Sequence, residues 1–367
     1  MSTELLFEEF TSAKLSLPNR IVMAPMTRSF SPGSIPNDLN VEYYRKRAAG
    51  GVGLIITEGT CVGHKAANGY PNVPAIAGEK ALAGWKKVVD AVHAEGGKII
   101  PQLWHVGSLR RTGTEPDPDV PGYGPSGLTT KGKKRCHAMT EEDIQDVIAS
   151  FAKAAVDAKD VGFDGAEIHG AHGYLLDQFF WEDLNERDDK WGGSLANRGR
   201  FATEIIKAIR AAVGADFPII FRWSQWKQQD YKARLAHTVE QLEQFITPLA
   251  EAGVDIFHCS TRRFWEPEFD GSDLNLAGWV KKITGLPTIT VGSVGLDADF
   301  AVEGQAGFSE AKPASLDKLG DRLSNREFDL VAVGRALIAN PDWANKVRSE
   351  STQDLHAYTA DMLTKLA

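Results

Sequence analysis

The chain alternates between short apolar segments and longer segments of helical periodicity, and this alternation repeats eight times along its 367 residues. In the longer segments, apolar residues recur at the three- and four-residue spacing of one helix face. Leu82, Trp85 and Val89 are one example, and Ile144 and Ile148 begin another. The eight predicted strands cover residues 20–26, 52–59, 98–105, 165–170, 218–224, 255–261, 287–293 and 330–336.

Several predicted helices end at glycines directly before a strand, namely Gly96 and Gly97, Gly162, Gly214 and Gly285. Glycine is the usual residue at this position because it adopts the left-handed conformation that closes a helix. Eight consecutive strand–helix units predict the α/β fold of a closed (β/α)₈ (TIM) barrel. A doubly wound open sheet is the alternative.

The remaining segments of the chain fit a barrel. Residues 11–19 are predicted to form a small β-hairpin at the bottom of the barrel. The long loops 106–140, 175–194, 262–273 and 301–315 follow predicted strands three, four, six and seven. Loops after barrel strands lie on the face that carries the active site, so the extra length belongs to that face. No linker or repeat interrupts the chain, and we expect residues 1–367 to form one domain.

Composition excludes several classes of function. A net charge of −8 argues against a nucleic-acid partner, which requires a basic surface. No run approaches the roughly 18 apolar residues of a membrane helix, so no membrane partner is expected. Cys61, Cys136 and Cys259 lie far apart and predict neither a disulfide framework nor an iron–sulfur or zinc site. The acidic N-terminal residues lack the features of a signal peptide, and we expect a cytoplasmic protein.

Two nucleotide-binding motifs fail on their context. Residues 121–127 read P-G-Y-G-P-S-G and contain a literal G-x-G-x-x-G, but no strand precedes it and a proline lies inside it. A dinucleotide loop needs a strand before and a helix after, so we interpret this segment as a surface loop. No G-x-x-x-x-G-K-[ST] sequence occurs in the chain.

The stretch E-I-H-G-A-H-G-Y at residues 167–174 places two histidines and a tyrosine among small residues. A zinc site needs a third protein ligand, and no H-E-x-x-H or H-x-H motif accompanies the pair, so no metal is expected. The histidines could satisfy local backbone groups only, or they could be donors directed at a substrate. The residues at the other strand ends bear on that choice.

Those strand ends carry groups that suit a flat polar ring. Strand one ends at Thr27, strand three presents Gln102 and Trp104, and strand five carries Arg222. The last two strands end in V-G-S-V-G and V-G-R-A, where glycines let backbone N–H groups approach an anion. Arg335 adds a guanidinium there, and the loops after strands seven and eight are the usual phosphate site of this fold. A phosphate and a flat ring together describe FMN.

The chain resembles the Old Yellow Enzyme family of FMN-dependent ene-reductases. The matching motifs are L-P-N-R-I-V-M-A-P-M-T-R (17–28), G-L-I-I-T-E-G-T (53–60), Q-L-W-H-V-G (102–107), E-I-H-G-A-H-G-Y-L-L-D-Q-F (167–179), G-G-S-L-A-N-R-G-R-F (192–201) and G-R-A-L-I-A-N-P-D-W (334–343). The resemblance extends along nearly the whole chain.

The resemblance implies a role for individual residues. Flavin-binding roles fall on Pro25, Met26, Thr27, Gly59, Gln102, Arg222, Gly292, Ser293, Gly334 and Arg335, of which the last four hold the phosphate. His169 and His172 would hold the oxygen of the substrate's electron-withdrawing group, and Tyr174 would donate the proton. Trp104 is expected to contribute to substrate binding.

The resemblance also implies a reaction. NADPH or NADH would reduce FMN, and hydride would then pass to the β-carbon of an activated alkene such as an enone, nitroalkene or maleimide. Alternatives are other FMN-barrel chemistry, such as amine demethylation or reduction of nitrate esters or nitroaromatics, and a non-catalytic flavin carrier. We expect a small-molecule substrate and a monomer or homodimer.

Several segments depart from the family pattern. W-S-Q-W-K follows Arg222 where many relatives have L-S-P, and its role is open. The aromatic loop 261–269 is either a substrate lid, with Trp265 as a wall, or a packed surface loop. Strand parity directs Glu167 inward together with His169, and a buried glutamate needs a partner. We predict that this partner is Arg222 on the neighbouring strand.

Overall fold

The computed structural model describes residues 3–299 and 309–367. Eight parallel strands hydrogen-bond in chain order, and the last pairs with the first to close a barrel. The strands are β1 Ile21–Met23, β2 Leu54–Cys61, β3 Lys98–Trp104, β4 Ala166–His172, β5 Ile219–Lys227, β6 Ile256–Ser260, β7 Thr288–Val291 and β8 Leu330–Val333. The (β/α)₈ prediction is confirmed, and the open-sheet alternative is wrong.

Helices lie between the strands and around the barrel. They are α1 Asp38–Ala49, α2 Glu79–Ala94, α3 Glu141–Val161, α4 Leu175–Phe180, α5 Leu195–Val213, α6 Val239–Glu251, α7 Leu276–Thr284, α8 Asp317–Ser324, α9 Arg335–Ala339 and α10 Trp343–Arg348. Short 3₁₀ helices cover Glu4–Phe7, Pro32–Ser34, Gly107–Leu109, Thr352–Asp354 and Ala360–Thr364. None of the helices in the described ranges is both long enough and apolar enough to cross a membrane.

Helix α3 shows how local sequence sets these boundaries. Thr140 accepts a hydrogen bond from the backbone N–H of Asp143, whose carboxylate accepts in turn from the Thr140 N–H. This capping box satisfies two backbone donors that a helix start leaves unpaired. Gly162 ends the helix with φ of 103°, and Gly285 ends α7 in the same left-handed region with φ of 68°. Backbone conformation therefore explains the predicted glycine stops at Gly162 and Gly285.

The predicted hairpin also forms. Phe10–Thr11 pairs antiparallel with Ser16–Leu17. Three buried apolar side chains of this hairpin, Phe10, Leu15 and Leu17, pack in one cluster with inward-facing residues of the barrel strands. Those partners are Val22, Ala24, Leu54, Ile56, Ile100, Ile220, Ile256, Ile289, Leu330 and Ala332. The hairpin closes the barrel with an apolar layer, as predicted.

The loops that follow the strands differ from the prediction in detail. Residues 106–140 contain short strands at Tyr123–Gly124, Leu128–Thr130, Lys133–Lys134 and His137–Ala138. The predicted loop 175–194 begins with helix α4, all six residues of which are buried. Part of the predicted loop 301–315, residues 301–308, lies outside the described residues.

Replacing Leu17 by alanine tests the hairpin's contribution. Leu17 is 2% exposed, and its removal would leave a cavity beneath the barrel, which typically costs about 2–5 kcal/mol of unfolding free energy. Leu39→Ala is the control because Leu39 is 55% exposed, and the expected change there is below about 0.5 kcal/mol. Chemical denaturation measures both. Equal stability of the two variants would mean that the hairpin does not support the barrel.

Candidate active site

A cavity of about 460 Å³ opens at the carboxyl ends of the barrel strands. Its lining includes thirteen of the fifteen residues predicted for the site. These are Pro25, Met26, Thr27, Gln102, Trp104, His169, His172, Tyr174, Arg222, Gly292, Ser293, Gly334 and Arg335. Residues separated by more than 300 positions therefore meet because each follows or ends a strand of one closed sheet.

Gly59 and Trp265 do not line this cavity. A Cβ on Gly59 would lie 2.5 Å from the Trp104 ring, so the absence of a side chain leaves room for that indole. Trp265 instead lines a separate small depression with Lys318, Asp321 and Arg322. Trp265 is therefore not part of the cavity that contains the other predicted site residues.

The two histidines lie side by side, with ring centroids 5.2 Å apart and ring planes at 87°. The backbone N–H of Ala171 donates to His169 Nδ1 over 3.3 Å, so the neutral ring carries its proton on Nε2. His172 Nε2 lies 2.8 Å from Ser260 Oγ, and the His172 N–H donates to Ser224 Oγ over 3.1 Å. Ser260 and Ser224 were not predicted as site residues.

Burial and the nearby positive charge of Arg222 hold the pKa of both His169 and His172 well below the usual value near 6.5. Both rings are therefore neutral at neutral pH. A neutral imidazole still offers one N–H donor, so the pair can bind an oxygen without carrying a charge of its own.

Tyr174 sits against aromatic rings on several sides. Its ring centroid lies 4.9 Å from Trp104 and 5.0 Å from His169, in edge-on contacts. Its Oη lies 3.5 Å from Oη of Tyr70, and the Tyr70 ring stacks on Trp104 at 5.4 Å. Burial, and then Tyr70, raise the pKa of Tyr174 well above 10, so the phenol keeps its proton.

Three aromatic residues that line the cavity were missed by the sequence analysis, namely Tyr70, Trp226 and Tyr358. Tyr70 belongs to the loop after β2, and Trp226 belongs to the end of β5, where its ring lies 4.6 Å from His172. Tyr70 could have been predicted from its place in a loop that follows a strand, because such loops lie on the active-site face. Trp226 lies in the W-S-Q-W-K segment, which β5 includes as far as Lys227.

Arg222 places a buried positive charge in the cavity. It is 6% exposed, and no side-chain hydrogen bond to it is found among the described residues. Burial lowers its pKa to about 10, so the guanidinium remains charged at neutral pH. A buried charge without hydrogen-bond partners is costly. The cavity therefore requires a ligand with acceptor atoms or negative charge at this position, as the pyrimidine edge of a flavin provides.

Glu167 does not pair with Arg222. Its carboxylate accepts from Gln102 Nε2 over 2.7 Å and contacts His258 Nδ1 at 2.6 Å. All of these side chains point into the barrel, and in the strand register His258 is level with Arg222. The prediction that Arg222 is the partner is therefore wrong. The alternation of side chains along β6 directs His258 into the barrel and could have indicated it as a partner. Because Gln102 donates to Glu167, its amide orientation is set.

The opposite side of the cavity contains the turns after β7 and β8. Gly292 has φ of 143°, and a Cβ there would lie 2.6 Å from the carbonyl oxygen of Thr261. Ser293 Oγ donates to the carbonyl of Arg262 over 3.0 Å. The Arg335 guanidinium donates to three backbone carbonyls, those of Ala298, Asp299 and Ser309. Its positive charge is thereby fixed at this end of the cavity.

No group of three or more His, Cys, Asp or Glu side chains within residues 3–299 and 309–367 is arranged to hold a metal ion. The donors that do converge are a guanidinium, an amide, two neutral imidazoles, a phenol and glycine-containing turns. This set fits the ring and phosphate of FMN and a small polar molecule.

Comparisons with known proteins agree with this donor set. A family model described as the NADH:flavin oxidoreductase / NADH oxidase family matches residues 5–308. The flavin oxidoreductase hxnT of Emericella nidulans is 36% identical over 361 residues, which cover 94% of this chain and 90% of that protein. The NADH oxidase of Thermoanaerobacter brockii is 37% identical over 356 residues, and the match spans only half of its length.

Among solved structures, morphinone reductase in complex with tetrahydroNAD superposes with a TM-score of 0.81 at 29% identity. The superposition covers 98% of this chain and 93% of that one. The barrel fold and the residues of the cavity thus place the chain in the class of FMN-dependent oxidoreductases. The chain belongs to the NADH:flavin oxidoreductase / NADH oxidase family, which is the Old Yellow Enzyme family that its motifs resemble.

Glu167→Gln is expected to weaken FMN binding roughly tenfold, the effect of disturbing one hydrogen bond to a charged group. Gln102 and His258 contact different oxygens of the carboxylate, and the amide replaces one of those oxygens with an NH₂ group, so one of the two contacts loses its carboxylate oxygen. Fluorescence titration of apoprotein with FMN measures the dissociation constant. The control is Glu327→Gln, a buried carboxylate outside the cavity that accepts from the Asn275 N–H and from Arg322. An equal FMN affinity of both variants would contradict the role given to Glu167.

Proposed function

We propose that this chain is an NAD(P)H-dependent ene-reductase that reduces activated alkenes, and that residues 1–367 form one FMN-binding barrel domain. The observation that carries the proposal is the convergence of Arg222, two neutral histidines and a protonated tyrosine on one cavity. Morphinone reductase bound to tetrahydroNAD supports a nicotinamide as the reductant.

The residues of the cavity divide into two groups around the cofactor. Thr27, Gln102 and Arg222 would bind the polar edge of the flavin ring, with the backbone of Pro25 and Met26 beside them. The second group, at the turns after β7 and β8, would bind the phosphate and consists of Gly292, Ser293, Gly334 and Arg335. FMN, when bound, supplies hydride transfer between the nicotinamide and the substrate.

His169 and His172 would bind the carbonyl or nitro oxygen of the substrate. His169 presents Nε2–H, because its Nδ1 accepts from the Ala171 backbone. If Ser260 Oγ donates to His172 Nε2, the remaining proton of that ring lies on Nδ1. Negative charge grows on the substrate oxygen during reduction. Each donor of such a site lowers the barrier by about 2.7–4 kcal/mol.

Tyr174 would deliver the proton to the α-carbon of the substrate. Its phenol lines the same cavity as the two histidines and lies within 5.0 Å of the His169 ring, centroid to centroid. Because its pKa lies well above 10, the proton is present at every pH near neutrality. Proton donation by a positioned side chain contributes about 10²–10⁴-fold to a rate.

The direct test uses the purified, FMN-loaded protein under anaerobic conditions. NADPH or NADH should bleach the yellow colour, and 2-cyclohexenone or a maleimide should restore it with formation of the saturated product. Absorbance at the flavin maximum follows both steps, and chromatography identifies the product. A protein that is bleached but recovers its colour only with oxygen would be an oxidase rather than an ene-reductase.

Tyr174→Phe should slow the restoration by 2-cyclohexenone about 10²–10⁴-fold and leave the bleaching by NAD(P)H within about threefold of wild type. The phenylalanine keeps the ring contacts with Trp104 and removes only the hydroxyl. Tyr43→Phe is the control, since Tyr43 is a buried tyrosine outside the cavity. If both variants slow the enone step equally, Tyr174 is not the proton donor.

The enone step should be independent of pH between about pH 6 and pH 9. The histidine pKa values are lowered, so neither ring gains a proton in this range, and the tyrosine pKa is raised, so the phenol does not lose one. Stopped-flow rates across this range provide the measurement. A rise in rate below pH 7 would show instead that a protonated imidazole is the active form.

A further inference from the structure

The W-S-Q-W-K segment after Arg222 takes no direct part in the proposed reaction. It extends β5 to nine residues and ends it at Lys227. Lys227 is fully buried, and so is Asp177, in the first turn of α4. Neither residue lines the cavity, so neither touches a substrate there.

Lys227 and Asp177 form an ion pair, with Nζ and Oδ1 2.7 Å apart and no exposure of either side chain. Lys227 Nζ also donates to the carbonyls of Gln225 over 2.9 Å and Ser224 over 3.3 Å. The second oxygen of Asp177 accepts from the backbone N–H of Gly173 over 2.7 Å. The pair therefore joins the end of β5 to the residue between His172 and Tyr174.

The backbone at this junction is in a costly conformation. His172 has φ of 65° and Gly173 has φ of 82°, so two consecutive residues adopt the left-handed region. A non-glycine residue there is unfavourable and persists only when its surroundings determine it. Besides the Asp177 contact, the turn is bound by Ser224 Oγ, which accepts from the His172 N–H.

Net stabilisation does not explain such a pair. Desolvation of two buried ions offsets most of their attraction, and apolar residues of similar volume often replace them without loss of stability. The pair instead fixes the position of the turn. Asp177 binds one backbone N–H of the turn, and Lys227 holds the Asp177 carboxylate in place relative to β5.

We propose that Lys227 is a positioning residue, which acts through Asp177 to hold the turn that presents His172 and Tyr174 to the substrate. The inference rests on the proposed function, since those two side chains are given their roles there. It assigns a purpose to the W-S-Q-W-K segment. Trp226 covers the His172 ring from the same segment, and its Nε1 donates to the Ser260 carbonyl over 3.1 Å.

The test replaces both ions at once by apolar residues, in the double variant Asp177→Leu/Lys227→Met, so that no unpaired charge remains. We expect restoration by 2-cyclohexenone to slow tenfold to hundredfold, roughly the effect of a misplacement near 1 Å. Restoration by oxygen and the FMN dissociation constant should stay within about twofold, because neither depends on the turn.

The control is Lys281→Met/Asp329→Asn, at a pair whose side chains are 27% and 21% exposed. This is another lysine–aspartate pair, with an Nζ–Oδ1 distance of 2.8 Å, and Asp329 directly precedes β8 at the opposite end of the barrel from the cavity. We expect it to change the enone and oxygen steps by less than about twofold.

Two results would overturn the proposal. One is a folded, FMN-loaded apolar variant that reacts with the enone at the wild-type rate. The other is a parallel fall of the enone and oxygen steps together with loss of FMN, which indicates a structural role only. If the apolar variant does not fold, the variant Asp177→Asn/Lys227→Gln decides: we expect an enone rate below wild type, and an unchanged rate overturns the proposal.

A readout independent of reduction separates this inference from the proposed function. In protein labelled with [¹⁵N]histidine, the His172 ring should give one tautomer in the wild type and exchange between tautomers in the apolar variant. His172→Gln assigns the signal by its loss. Identical His172 signals would overturn the positioning role, whereas a wild-type protein that no activated alkene re-oxidises would overturn the proposed function alone.

Discussion

The site depends on one geometric constraint, the inward direction of alternate side chains on eight parallel strands that close into a barrel. Along β5, Ile220 belongs to the apolar lower layer, and two residues later Arg222 reaches the cavity. Along β6, Ile256 and His258 repeat this change from apolar to polar. Inward-facing residues near the start of each strand therefore form a packed apolar floor, and those further along the same strand form a polar upper layer. The hairpin closes the floor from below.

Charge in the upper layer is arranged around Arg222. Its guanidinium is held without a protein hydrogen-bond partner among the described residues. Burial, and then the charge of Arg222, lower the pKa of His169 and His172 and keep both imidazoles neutral. Glu167 supplies the compensating negative charge from below, but its hydrogen bonds go to Gln102 and His258. The guanidinium thus keeps its donors directed at the cavity, which is what an anionic or acceptor-rich cofactor requires.

The turn at His172 combines strain with multiple restraints. Side chains from β5, β6 and α4 contact it, through Ser224, Ser260 and Asp177. Strained backbone at a functional site is commonly maintained in this way, because each restraint removes an alternative conformation. Gly170 in H-G-A-H-G-Y has a matching local reason, because a Cβ there would lie 2.5 Å from the Phe221 ring.

The sequence by itself determined the barrel and most of the site. Periodicity and glycine stops are local properties, so the eight strands could be read from them, and residues at strand ends such as Thr27, Gln102 and Arg222 then had to meet at one mouth. The tertiary structure alone decided which inward side chains bond to each other. Glu167 pairs with His258, 91 positions away, rather than with Arg222. Ser260 contacts His172 across the barrel, 88 positions away, and Trp265 faces away from the cavity. Contacts between such distant segments depend on how the chain packs, which no local sequence pattern records.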